Sequence, residues 1–410
     1  MNVLQLTLGF SPSGRSRAIR TLSEGLRAYG VRSSLGCLEE IGPAQPADLS
    51  PYDELVELRR HEGNGGVCIR RIVRLCDDRS IDLIHAHDAA SQWMAVSVRR
   101  RRPRVKLVMT FHRSLGFESA RRRDRVRNAV AGVFTAAIVV GSRERRRHYM
   151  TENMVPPRKV VRIPFGIDLA RFRRDVTARE QVRSELGVSP ETVLFGCVGH
   201  FGSVKGIDVA IEGFARHAQR SPKTPSVLAV FGTGNPEDSA RMRTLAERAS
   251  PGRVLFCGFR CNIERFFAGL DAFVHTPRLE AFGLVMIEAM ATGLPVVATS
   301  VGGIPDIVLD RETGLLVPSE NSDRVADALA ELGADTRLRD QWGRQAQELA
   351  STQYGADLFA RRHAGLYRDV IHGVGPTGVG TEHIYEPIEQ LSPDTDRDRA
   401  TTETASCLSK

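Results

Sequence analysis

Short apolar runs rich in β-branched residues alternate with longer segments of helical period from the first residue to about 330. That alternation points to one kind of architecture, parallel sheets whose strands are joined by helical crossovers. In the first half it predicts strands at Val3 to Leu8, Val31 to Leu35, Leu83 to Ala86, Lys106 to Thr110, Ala137 to Val140 and Val160 to Ile163. In the second half it predicts Val193 to Val198, Val227 to Phe231, Val254 to Cys257, Ala272 to His275, Pro295 to Ala298 and Leu315 to Val317. After the first strand Ile19, Leu22 and Leu26 recur at helical spacing, and Gly30 supplies the stop. The period lapses and charges accumulate from Pro164 to Arg174, marking the junction between two doubly wound α/β domains that face a cleft. The expected division is a first domain over 1–168, a second over 169–350 and a helix over 351–372 crossing back to the first. Residues 373–410, dominated by Gly, Pro, Thr, Asp and Glu, are expected to be a disordered tail.

Composition narrows the function classes. No apolar run approaches the roughly 20 residues that cross a bilayer. The N-terminal MNVLQLTLGFSPSG has no basic region and no small-residue cleavage site, so it reads as a first strand and the protein is expected in the cytoplasm. Seven cysteines, odd in number and without a CxxC pair, argue against a disulfide framework and a zinc site; buried reduced thiols and no metal site are expected. The net charge of +8 is concentrated in residues 99–147, where sixteen Arg or Lys face three acids. That segment reads either as a solvated arginine-rich face or as a patch for an anionic membrane surface or a phosphorylated acceptor. It has few interleaved aromatics and no nucleic-acid motif, so no nucleic acid is expected.

The most informative stretch is Arg278 to Pro305, RLEAFGLVMIEAMATGLPVVATSVGGIP. A helix is predicted to open at Leu284 or Val285, just after Gly283, and to end at Gly293. Its unpaired amides, at the carboxyl ends of a parallel sheet, suit a diphosphate without any metal. Glu280 before the helix and Glu288 one turn inside it suit vicinal hydroxyls, Glu280 those of a sugar and Glu288 those of a ribose. Taken singly these residues favour a structural reading, with Glu280 offsetting the helix dipole and Glu288 on a solvated face.

Together, Glu280, Phe282, Gly283 and Glu288 resemble the donor-binding signature of glycosyltransferase family 4, two glutamates separated by seven residues with Phe-Gly after the first. GLPVVATSVGGIPDIV and TGLLVP are also similar to the family's, and the resemblance spans roughly residues 1–350. It implies a GT-B fold of two Rossmann-like domains and a nucleotide diphosphate sugar as donor. It also implies metal-independent transfer with retention of configuration, no separate cofactor, and a glycan or lipid-linked acceptor. In GHFGSVKG, Gly199 to Gly206, Lys205 would then stabilise the departing diphosphate; the family places an arginine five residues earlier, where this chain has His200. His112, at the end of the Val108 to Thr110 run, matches a histidine the family uses near the sugar ring, and Gly14 stands with Ser13 where the family has two glycines. His87, in HAHD, is read as structural. Gly232, in FGTG, lines the same crevice, and Gly302 and Gly303 leave room for the base or diphosphate. Rival readings are a nucleotide sugar epimerase or phosphorylase of the same fold, or a non-catalytic protein binding nucleotide sugars or anionic surfaces.

Overall fold

The structure, a computed structural model, describes residues 1–374 except 12, 43–45, 62, 113–121 and 152–154. The expected tail from residue 375 on lies outside the described residues. Seven strands form the first sheet: β1 Asn2–Thr7, β2 Arg32–Cys37, β3 Glu54–Glu57, β4 Leu83–Ala86, β5 Lys106–Thr110, β6 Ala137–Val140 and β7 Val160–Arg162. Their spatial order is β3-β2-β1-β4-β5-β6-β7, and every neighbouring pair is parallel. The second sheet comprises β8 Val193–Val198, β9 Ser226–Phe231, β10 Val254–Gly258, β11 Ala272–His275, β12 Val296–Thr299 and β13 Gly314–Val317. Its order is β10-β9-β8-β11-β12-β13, again parallel throughout.

The interior strands carry near-continuous buried apolar runs because helices cover both faces of each sheet. β3, Glu-Leu-Val-Glu, lacks that signature: it is an edge strand, partly exposed and blunted by terminal charges, and the apolar pattern passes over it. β2 continues two residues beyond the predicted Leu35, through Gly36, where a Cβ would lie 3.0 Å from Leu6 Cδ1. The close approach of β1 selects glycine there, at the cost of the apolar signal.

The chain passes between domains twice, and the two passages are stitched together. The Ile167 N–H donates to the Tyr354 carbonyl at 2.8 Å, and the Ala356 N–H returns to Ile167 at 2.9 Å. Helix Ala356–His372 then lies on the first domain, burying Phe359, His363, Leu366, Tyr367 and Val370 at helical spacing. It crosses helix Gly14–Leu26 closely, since a Cβ on Gly25 would come within 2.7 Å of the Ala360 Cβ, and Tyr29 donates to Asp357 at 2.7 Å.

One expectation needs correction. Cys37, Cys68, Cys76 and Cys197 are buried and Cys257 half-buried, but Cys261 is exposed, because it lies in the loop after β10 instead of in a strand. Of the basic segment 99–147, residues 113–121 lie outside the described residues. Arg101 to Arg104 precede β5 and Arg143 to Arg147 follow β6, so in a parallel sheet they sit at opposite ends, and Asp77 pairs with Arg102 at 2.6 Å. No helix among the described residues is long and apolar enough to cross a membrane.

Candidate functional site

Each sheet reverses its strand order once, and ligands of such folds collect where the strands diverge. In the second sheet that point lies between β8 and β11, so the loops carrying Lys205 and Glu280 meet there. The loops are tied: Thr276 Oγ1 donates to the Gly206 carbonyl at 2.7 Å. Gly206 has φ 59°, and a Cβ there would lie 1.9 Å from the Thr276 oxygen, so only glycine fits. Lys205 Nζ donates to Glu280 Oε2 at 2.8 Å and His275 Nε2 to the same oxygen at 3.2 Å, while the Ala281 N–H reaches Oε1 at 3.1 Å. Burial opposes charge on Glu280, but the His275 hydrogen bond and the Lys205 ammonium outweigh it and hold the carboxyl well below its usual range. Burial keeps His275 neutral despite Glu280, so its Nε2–H acts as a donor. His200, by contrast, is exposed, and its Nδ1 accepts from the Gly202 N–H at 3.0 Å within its own loop.

The helix after Glu280 runs Leu284–Ala291, capped by Gly283 at φ 100°. Leu284 and Val285 open it, where backbone amides precede the hydrogen-bond ladder. Phe282 takes a different part from the expected ligand contact: it is buried at 2% exposure and meets Phe165 edge-on at 5.0 Å, so its ring joins the linker to the second domain. Glu288 is not on a solvated face. Its side chain is 3% exposed, Oε1 accepts from Arg17 of the first domain at 2.8 Å, and Oε2 has no partner among the described residues. Burial raises its pKa, partly offset by Arg17 and Arg171. The pair spans the cleft, so a ligand hydroxyl bonding to Glu288 Oε1 would displace Arg17. Replacing Arg17 with alanine is expected to tighten nucleotide binding up to about fivefold in calorimetry, the worth of a half-exposed ion pair of about 1 kcal/mol. Weaker binding would instead make Arg17 a donor ligand.

The glycines serve the frame. Gly302, at φ 58°, would place a Cβ 1.8 Å from the Glu280 carbonyl oxygen, and one on Gly303 would lie 2.6 Å from that of Ala281. The space expected for a base or diphosphate is therefore filled by the backbone that carries Glu280. Gly232, at φ 136°, is excluded from a side chain by the Gly199 carbonyl at 1.9 Å. Its absent side chain sets the spacing between β8 and β9 at the crevice.

In the first sheet the order reverses between β1 and β4, which brings the start of helix Gly14–Leu26 beside His87 and Asp88. Ser13 caps that helix, accepting from the Ser16 N–H at 3.2 Å; Pro12 of the Ser11 to Gly14 loop lies outside the described residues. A Cβ on Gly14 would sit 3.9 Å from Leu284 Cδ1, so the two helix starts oppose each other across the cleft. His112 is partly buried, stacked on Phe165 with centroids 5.0 Å apart and 10° between planes, and its Nε2 lies 3.0 Å from His87 Nδ1. Burial, then the Arg15 charge, push its pKa down to about 3.

Sequence reasoning missed His275, Arg17 and the Arg143–Asp306 contact, where the Arg143 N–H donates across the domains at 2.6 Å. His275 ends a buried strand and carries no motif. Arg17 is one arginine of several on an amphipathic helix, distinguished only by what faces it.

The same residues fall within known sequence profiles and folds. Residues 178–349 match the profile described as Glycosyl transferases group 1, and residues 12–171 match that described as Glycosyltransferase Family 4. The chain is 30% identical over 307 residues, 70% of its length and 71% of the relative's, to a D-inositol 3-phosphate glycosyltransferase of Kribbella flavida. It is 25% identical to N-acetyl-alpha-D-glucosaminyl L-malate synthase of Bacillus anthracis over 73% of this chain and 78% of that one. Its fold is similar to the crystal structure of Anabaena Alr3699/HepE in complex with UDP, with a TM-score of 0.78 at 21% identity over 89% of this chain and 99% of that one.

Proposed function

The chain belongs to glycosyltransferase family 4, and from that premise we propose that it moves a hexosyl group from a nucleoside diphosphate sugar to a hydroxyl acceptor, with retention and without metal. The observation that carries this reading is the cluster at the β8/β11 divergence, with Lys205, His275 and Glu280 in hydrogen-bond contact and Glu288 buried across the cleft from the first domain. Glu288 would take the ribose hydroxyls, and the amides of Leu284 and Val285 the diphosphate. Lys205 would follow the diphosphate as it leaves, with Glu280 holding its ammonium in place. The acceptor oxygen attacks the anomeric carbon on the face the diphosphate departs from, the bond to the diphosphate oxygen breaks, and that oxygen takes the acceptor's proton. No side-chain base is then needed.

For the acceptor, the relatives' names supply one direction, since L-malate and D-inositol 3-phosphate are both hydroxyl compounds carrying anionic groups. The basic residues after β6 lie at the cleft end of the first sheet and suit such a group, whether on a small molecule, a glycan or a lipid-linked acceptor. Contact with an anionic membrane surface from the cytoplasm belongs to the same reading.

The test is a titration of UDP, GDP and ADP, with and without sugar, following the melting temperature in the absence of added metal. One nucleotide is expected to raise it, by about 2.7 kcal/mol of stabilisation at a hundredfold excess over Kd. Glu288→Ala is expected to abolish that shift. If no nucleotide shifts the wild type, the donor reading is lost.

A further inference from the structure

Behind the acceptor side of the cleft lies a buried polar layer between the first sheet and the crossing helix Ala356–His372. It contains Gln5 of β1, His85 of β4 and His87 just after it, Thr110 of β5, and Tyr367 from the helix. Its hydrogen bonds take their direction from the Gln5 carboxamide, whose Nε2 is turned away from His87 and has no hydrogen-bond partner among the described residues. With the Gln5 carboxamide oxygen toward His87, the 2.8 Å contact to His87 Nε2 requires the proton on that nitrogen. A neutral imidazole carries one N–H, so His87 Nδ1 is bare and accepts across the 3.0 Å contact from His112 Nε2–H. His112 Nδ1 is left without a proton and makes no hydrogen bond to the described residues.

Two features keep this arrangement from relaxing. The His112 ring is held flat against Phe165, and the His87 ring packs at 4.2 Å on His85, itself pinned by Tyr367 at 2.6 Å and Thr110 at 2.7 Å. Neither histidine can rotate to exchange its nitrogens without opening the layer.

We propose that His87, oriented by Gln5, is a positioning residue that locks His112 in the Nε2–H tautomer, so that His112 offers the cleft a bare Nδ1 that accepts a hydrogen bond from a hydroxyl of the transferred sugar. The ligand part of this inference rests on the transferase reading above; the tautomer part does not. A locked acceptor selects sugars that present a hydroxyl at that point and disfavours analogues in which it is replaced by hydrogen or methoxy.

The test uses full-length protein labelled with 15N-histidine and long-range 1H–15N spectra, which distinguish a bare from a protonated ring nitrogen. The wild type is expected to show His112 as Nε2–H with a bare Nδ1. His87→Asn, whose Oδ1 stands where Nδ1 stood, is expected to keep that tautomer; His87→Leu and Gln5→Leu are expected to lose it. In turnover, His87→Asn should stay within about threefold of wild-type kcat, while His87→Leu should fall about tenfold with the nucleotide affinity unchanged. An Nδ1–H tautomer in the wild type, or one unaffected by both leucine variants, overturns the proposal. Should His87→Leu fail to fold, Gln5→Leu and the wild-type spectrum still decide it. Loss of all turnover with every donor, beside the expected tautomer, would reject the transferase reading and leave the lock intact.

Discussion

Lys205→Ala is expected to lower kcat by about 10²- to 10³-fold, the usual effect of removing one group that stabilises a developing negative charge. The lysine sits in a turn tied to β11 through Thr276, and Glu280 holds its ammonium at 2.8 Å, so it is placed before any ligand arrives. His200, spent on the Gly202 amide, is not arranged to share that charge, which concentrates the effect on Lys205. The same change leaves a buried carboxylate with only His275 and Ala281 as partners, so some loss of stability is expected too. Nucleotide affinity separates the two consequences. A folded variant that binds nucleotide within a few fold of wild type but turns over hundreds of times more slowly has lost charge stabilisation. Activity within about fivefold of wild type would reduce Lys205 to a partner for Glu280.

Acid is expected to unfold this protein well above the usual carboxylate range, and the histidine layer is the cause. His85, His87 and His363 are essentially fully buried and His112 partly so, and burial lowers all four pKa values, to about 4 for His363 and about 3 for His112. Their unfolded values lie near 6.5. Because the folded values are depressed, the unfolded chain takes up protons first, and stability falls as pH drops below about 6.5 and continues to fall to about 4. Each histidine that stays neutral contributes about 1.4 kcal/mol per pH unit, so four together approach 5 kcal/mol per unit near pH 5, comparable with the total stability of a domain. Glu280, depressed in the opposite chemical sense, adds its own loss only below the unfolded carboxylate value near 4.3. Urea denaturation at half-unit steps from pH 7.5 to 4.5 measures the slope. His363→Gln should shift the acid midpoint downward; a stability flat between pH 7 and 5 would mean the layer opens and protonates at no cost.

The alternation of apolar strands with helices, and the Glu280 to Glu288 stretch, were legible because both are local. A parallel strand buried on two faces writes its own run of Val, Ile and Leu, and a loop–helix start writes glycine and acid at fixed spacing. β3 was not legible, since an edge strand is selected for charge and shortness, which erase the apolar run. Gly232 and Gly302 were recognised as special, but the space they leave is taken by the carbonyls of Gly199 and Glu280, and no spacing rule distinguishes a gap for a ligand from one for backbone.

The chain by itself therefore determined two doubly wound sheets, the order of their elements and the donor-side motif, because those signals lie within one or two helical turns. Only the tertiary structure decided that Glu288 faces Arg17, that His275 joins Lys205 on Glu280, and that His87 directs His112. Those partners come together through strand order and domain packing, and a side chain's charge, tautomer and accessibility depend on what faces it after burial.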